Sequence, residues 1–253
     1  MTDVLPTARP GEVLFARYAY PPNELGYCGL GDGREWLAAA SGPAAAGDNL
    51  AERARAFDGA WPYLQFLATT AGVADPLDPL VAEAYWVGNK LLDAVDPAAF
   101  VEHARRAFGT QSGADWDALA GDPPAAVPHH SFHVFTIYPW VGLLRRTGSP
   151  QALEVLDRCR IRWGTVESVD GDFVTARCRR LTWDGQRLGL GQPRQESVRW
   201  AADGQSLLPA VQPGRQVSMH WGWVCDVLNA GQLKALRTCT ARQLALTNGE
   251  SLR

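Results

Sequence analysis

No apolar run in this chain approaches the ~18 residues that a membrane-spanning helix needs. The opening "MTDVLPTARPGEV" has no basic stretch followed by an apolar core, so it is not read as a secretory signal. A cytoplasmic location is the resulting expectation. Cysteine is scarce and scattered: five residues, at 28, 159, 178, 225 and 239, with no CxxC pair. An odd, widely spaced set argues for reduced thiols and against a disulfide framework or a CxxC zinc site. HExxH and GxSxG are absent, and no GxGxxG follows a strand-like segment, so the common hydrolase and dinucleotide signatures are missing. Absence of motifs does not exclude an enzyme. Lysine is nearly missing too, and every basic residue after position 157 except Lys234 is arginine.

What is present is ordinary for a globular protein. Of 253 residues, 46% are apolar and 20% charged, enough for one large domain or two small ones. The net charge of -3 hides an asymmetry: residues 1–156 carry 18 acidic and 10 basic side chains, residues 157–253 carry 9 and 14. Two halves that attract each other across an interface account for this, as does a basic surface that meets an acidic partner.

The halves also differ in pattern. "DNLAERARAFDGAWPYLQFLATTAG" has helical spacing of apolar residues, with Pro62 placed to kink or split it. "DPLVAEAYWVG" and "DPAAFVEHARRAFG" each start with an Asp N-cap and Pro at the first helical position. Asp75, Asp78, Asp93 and Asp96 read as caps and loop residues. "SFHVFTIYPWVGLLRR" predicts a buried helix interrupted near Pro139, and "LAAASGPAAAGDN" a flexible loop. Beyond "GSPQALEVLD" apolar and polar residues alternate. Asp-Gly pairs at 170–171, 184–185 and 203–204 and Pro-Gly at 213–214 mark turns between short strands. "NAGQLKALRTCTARQLALTN" closes as a helix with Leu233, Leu236, Thr240 and Leu244 on one face. The expected fold is α+β: an all-α domain over 1–150, then a small β-barrel with a C-terminal helix over 151–253.

Two stretches of the second half belong together. "CRIRWGTV" followed by "DGD", and later "PGRQVSMHWGW" running into a helix, resemble the HypC/HupF family of [NiFe]-hydrogenase maturation chaperones. The matching positions are Cys159, Gly164, Val166, Gly171, Pro213, Gly214, Val217, His220 and Gly222. The resemblance covers residues 159–253 and implies an OB-like barrel with a C-terminal helix. It implies that Cys159 and His220 hold an iron centre. The implied partners are other hydrogenase maturation proteins or a hydrogenase large-subunit precursor. A thiolate and an imidazole are both suitable iron ligands. In that family the cysteine becomes the N-terminal residue, whereas Cys159 lies mid-chain, and the stretch between "DGD" and "PGR" is longer here. The whole chain is also similar to an uncharacterised actinobacterial family with the same "AYPPNELGYCG" and "FHVFTIYPWVG" stretches.

Read alone, Cys159 is a small residue at a strand start, with Arg158, Arg160 and Arg162 placed to favour its thiolate. His220 and Trp221 are expected on opposite faces of one strand. Trp163, Trp183, Trp200, Trp221 and Trp223 invite comparison with a nucleic-acid stacking platform, but the mild positive charge argues against it. "PHHSFH" places His130 and His133 three apart, within reach of one ion on a helix. Cys28, among glycines in "GYCGLGDG", reads as a tight turn. With His130 or His133 it forms a second candidate site, that of a small enzyme or cofactor binder. An interaction module without metal is the third class of function.

Overall fold

The computed structural model describes residues 10–29, 31, 33–41, 50–110, 114–121 and 126–250. Of the loop expected over 37–49, residues 37–41 are instead helical, with Leu37, Ala39 and Ala40 buried; residues 42–49, and Leu30 and Asp32 of the glycine-rich stretch, lie outside the described residues. The described chain is mixed α and β. Helices come first: α1 Pro10–Glu24, α2 Gly33–Ser41, α3 Leu50–Arg55, α4 Trp61–Ala71, α5 Pro79–Trp86, α6 Pro97–Phe108, α7 Trp116–Gly121, α8 His130–Phe132, α9 Trp140–Thr147 and α10 Pro150–Cys159. Strands follow: β1 Arg162–Asp170, β2 Phe173–Cys178, β3 Leu181–Trp183, β4 Leu188–Leu190, β5 Arg194–Arg199, β6 Ala201–Ala202, β7 Gln205–Ser206, β8 Gln216–His220 and β9 Trp223–Val227. Helix α11, Ala230–Thr247, ends the described chain. No helix among the described residues is long and apolar enough to cross a membrane.

The local chemistry explains most boundaries. Pro62 splits its segment into α3 and α4, and Gly72 ends α4 in the left-handed conformation. The Asp78 and Asp96 carboxylates accept from Leu80 N–H and Ala98 N–H, capping α5 and α6. Asn229 and Gln232 form a reciprocal capping box at α11. The interruption before Pro139 is a π-helical turn over His133–Ile137. Asp170–Gly171, Asp184–Gly185 and Asp203–Gly204 sit at the β1–β2, β3–β4 and β6–β7 turns, with φ positive at each glycine.

Five strands close on themselves in the order β1-β2-β5-β9-β8. Antiparallel ladders join all neighbours except β5 and β9, which pair in parallel at Arg199 and Trp223. The alternating burial of β1 turns Val166 inward to join Val174, Ala176, Val198, Val217, Met219 and Val224. Gly164 is closely packed there: a Cβ would stand 3.2 Å from both the Cys178 side chain and the Met219 methyl.

The opposite face of β8 and β9 meets the helices. Trp223, Cys225, Leu228 and Leu236 belong to the same apolar core as Phe15, Tyr18, Trp36, Leu64 and Trp86. Polar contacts pin this seam: Tyr18 Oη and Ser218 Oγ at 2.7 Å, and Trp223 Nε1 donating to Glu24 at 3.2 Å. The ion pair across it, Arg17–Asp226 at 3.2 Å, has its cation on the acidic half and its anion on the basic half. Of the segment "FHVFTIYPWVGLL", Phe132 and Ile137 join the first core, while Val134, Phe135, Val141 and Leu144 pack into a second cluster with Leu156, Cys159, Leu181, Leu188, Trp221 and Leu244.

Two expectations for the barrel edge are corrected. Cys159 does not start a strand. It is the last residue of α10, whose apolar face buries Ala152, Leu156 and Cys159, and the strand begins three residues later at Arg162. Trp221 is not on a strand opposite His220. It forms with Gly222 the two-residue turn between β8 and β9, at φ 48° and 86°. Positive φ at both central positions suits a tight hairpin, but for a bulky side chain it is strained. The five tryptophans share no platform: Trp221 and Trp223 are buried in different clusters, and Trp163 lies between the Arg160 and Arg237 guanidiniums.

Candidate metal centre

His130, Cys159 and His220 converge from three elements: the start of α8, the end of α10 and the end of β8. One ligating atom from each lies within 4.8 Å of the other two, and all three residues are buried. They line a cavity of about 240 Å³ that also receives Cys28, His133, Tyr138, Tyr85, Trp86 and the backbone near Gly59. The sequence suggested two sites, Cys159 with His220 and Cys28 with His130 or His133. The fold brings all five residues to one cavity, and it adds His130, not a second cysteine, to the first pair. His133 and Cys28 line the cavity but stand outside the cluster of three. His129 is spent elsewhere: its Nδ1 accepts from Ser131 N–H at 3.0 Å, capping α8.

The hydrogen bonds around His220 leave a ligating atom bare. His220 Nδ1 lies 2.8 Å from the Tyr18 carbonyl oxygen. A carbonyl only accepts, so Nδ1 carries the proton and Nε2 carries a lone pair. Nε2 is buried and has no hydrogen-bond partner. A ring fixed through one nitrogen by a backbone carbonyl, with the other free, is the usual setting of a metal-ligating histidine.

His130 shows a different mismatch. Its Nδ1 is 3.1 Å from Tyr85 Oη, its Nε2 is 2.9 Å from the Cys159 carbonyl oxygen, and Tyr85 Oη donates to the Gly59 carbonyl at 2.9 Å. These three contacts need three protons, whereas a phenol and a neutral imidazole supply two. Burial pushes the His130 pKa down to about 4, so the ring is neutral at pH 7. A cation on Nε2, taking the place of the hydrogen bond to the Cys159 carbonyl, leaves two contacts for the two protons. The ring proton then sits on Nδ1 and donates to Tyr85, and the Tyr85 proton goes to Gly59.

Cys159 is neutral without a metal. Burial, then the neighbouring Cys28, raises its thiol pKa well above the ordinary value, and the Trp221 indole pulls it back in part. The expected help from arginine does not arrive. Arg158 is exposed and pairs with Glu154, and Arg160 and Arg162 are committed to Asp157 and Glu196. Trp221 Nε1–H is buried without a conventional partner. A thiolate beside it would accept a hydrogen bond from that N–H. Deprotonation therefore has to be driven by a cation, as for other buried thiol ligands.

Two imidazoles and a thiol form a borderline-soft donor set suited to first-row transition metals and zinc. The residues present fit a metal ion: a bare imidazole lone pair on His220 and an orphaned N–H beside the thiol point to the same space. Nothing in the sequence announced that Tyr18, Tyr85 and Trp221 support the ligands, because their roles depend on α1, α5 and a turn meeting at one point. The only hint was the aromatic density around "FHVFTIYPWVG".

A family of unknown function, DUF6390, matches residues 7–253. No curated protein and no solved structure matches the chain. The chain belongs to the DUF6390 family.

Proposed function

We propose that this DUF6390 protein binds a transition-metal ion through His130, Cys159 and His220, inside a cavity that keeps the metal away from bulk water. The observation that carries this reading is the convergence of three buried ligating atoms within 4.8 Å, one of them an imidazole nitrogen with no other partner. Three protein ligands leave a coordination position open toward the cavity, which is the arrangement of a working site more than of a structural one.

Iron is the metal that the HypC/HupF resemblance adds, and the donor set suits Fe²⁺ as well as Zn²⁺ or Co²⁺. The same resemblance adds an accessory role in assembling a metalloenzyme, with hydrogenase maturation proteins or a large-subunit precursor as partners. The strand order supports the OB-like description: numbered within the barrel alone, the strands run 1-2-3-5-4, and a helix follows. Gly214 turns the chain into β8, which ends on His220, as the resemblance requires. Burial of Cys159 weighs on the other side. A sulfur enclosed at a helix end favours a resident metal over direct handover to a partner.

The test is metal analysis of the full chain purified anaerobically and aerobically, beside Cys159→Ser and His220→Ala. We expect one metal per chain in the native protein and its loss in both variants. Equal metal content in all three would refute the centre. Vibrational spectra of the anaerobic preparation then separate an iron–diatomic cargo from a simple ion.

A further inference from the structure

The cavity has a second end. His133, one helical turn after His130, is 4% exposed and lines the same space. Its Nδ1 is 3.2 Å from Tyr63 Oη, the one hydrogen-bond contact of that buried phenol among the described residues. Two arrangements are open. If Nδ1 donates, the Tyr63 proton and the Nε2 lone pair both go unpartnered. If Tyr63 donates to Nδ1, only one group is left over, the Nε2–H of His133. The second arrangement leaves fewer buried groups unsatisfied and is favoured. His133 Nε2 has no partner. It points past Gly59, where a Cβ would stand 2.9 Å away. His133 therefore presents an N–H donor, not a ligand atom, to the cavity.

Charge at the other end complements it. Among the described lining residues Asp58, which is exposed, is the one ordinarily charged side chain, and an anion has to be held by the centre itself. With a divalent ion bound by two neutral imidazoles and one thiolate, the enclosed centre carries a net charge of about +1, and an uncompensated buried charge is costly. We infer, resting on the metal reading above, that the cavity binds a small monoanion. One of its atoms occupies the open coordination position, and a second acceptor atom takes the His133 Nε2–H. Residues three apart on a helix lie roughly 5–6 Å from each other at Cβ, so the ligand is short. Carboxylates of one or two carbons and linear triatomic anions have the right reach. Trp86, Tyr85 and Phe57 make the remaining walls apolar or aromatic, which strengthens the two polar contacts.

The full chain loaded with Co²⁺ provides the test, because cobalt's visible d–d spectrum responds to changes at its open position. Azide, formate, acetate and benzoate are titrated in turn. The expected result is a saturable spectral change with azide, formate and acetate and none with benzoate. His133→Leu should weaken azide binding by about tenfold or more, as loss of a hydrogen bond to a charged group implies, with cobalt affinity held. Gly59→Ala provides a second variant if His133→Leu does not fold, because its methyl group obstructs the same N–H. Failure of the chain to bind Co²⁺ overturns the metal reading and this inference together. Bound cobalt with a spectrum indifferent to every anion, or azide binding unchanged by both variants, overturns this inference alone.

Discussion

Glu196→Gln should be among the most damaging single substitutions in the chain, although Glu196 touches neither the cavity nor the helices. Its carboxylate accepts from Arg162 at 2.7 and 3.2 Å, from Arg180 at 2.8 and 3.3 Å and from the Cys178 thiol at 3.2 Å. Arg162 is 1% exposed, and its remaining anion, Asp157, stands at 3.7 Å and is shared with Arg160. A neutral amide keeps the shape but removes the charge that balances Arg162, and it turns an NH₂ toward guanidinium N–H groups. Breaking a buried pair in this way costs about 3–5 kcal/mol, against a total stability of roughly 5–15 kcal/mol for a typical domain. Acid provides an independent measure. Burial alone would raise the Glu196 pKa, but the two arginines outweigh it and hold the carboxyl at about 2 instead of 4.5. A depressed carboxyl contributes stability that is complete above its unfolded pKa and lost as pH falls through the folded one. The window is therefore pH 4.5 down to 2, and the contribution is about 2 kcal/mol after discounting for partial exposure. Urea unfolding followed by tryptophan fluorescence and far-UV circular dichroism measures both effects. Glu196→Gln should lower the midpoint without changing the slope, and its stability should fall less steeply than the native protein's across that acid window. A loss under about 1 kcal/mol, or identical pH dependence, would refute the reasoning. The substitution also bears on the site, since Asp157, Arg160 and Arg162 clamp the segment that holds Cys159. Metal affinity should fall with it.

Tyr18→Phe removes the hydrogen bond to Ser218 across the seam and should cost about 1–2 kcal/mol by the same unfolding assay, leaving far-UV spectra unchanged. Residues 150–253 expressed alone would expose Trp223, Leu228 and Leu236, which belong to the shared core, so that fragment should bind a hydrophobic dye and aggregate. A soluble, dye-silent fragment would show that the barrel does not need the helices.

Much of the local structure was legible because it is decided by neighbours in sequence. Asp78 and Asp96 cap the helices they precede, Pro62 divides α3 from α4, and each Asp-Gly pair lies at a turn where positive φ is needed. These are interactions over two to four residues, and short patterns encode them. The end of α10 was misread for the same reason: "CRIRWGTV" alternates like a strand, but Cys159 is held in the helix by the burial of Ala152 and Leu156 on its own face and by the Asp157–Arg160 pair. Tertiary contacts settle such a boundary.

The sequence by itself determined which residue types are available for chemistry: isolated cysteines, a histidine cluster and His220 near a Pro-Gly turn. It also determined the change from helical to alternating pattern near residue 157. Only the tertiary structure decided that Cys28, His130, His133, Cys159 and His220 share one cavity. Those residues are far apart along the chain, and their convergence depends on α1 packing against β8 and β9, which no local pattern records. The division of labour among the histidines is likewise tertiary. The Tyr18 carbonyl leaves His220 a lone pair, Tyr63 meets His133 at Nδ1, and Ser131 keeps His129 as a cap. A buried imidazole is given its role by whatever meets its other nitrogen, and that partner is chosen by the fold.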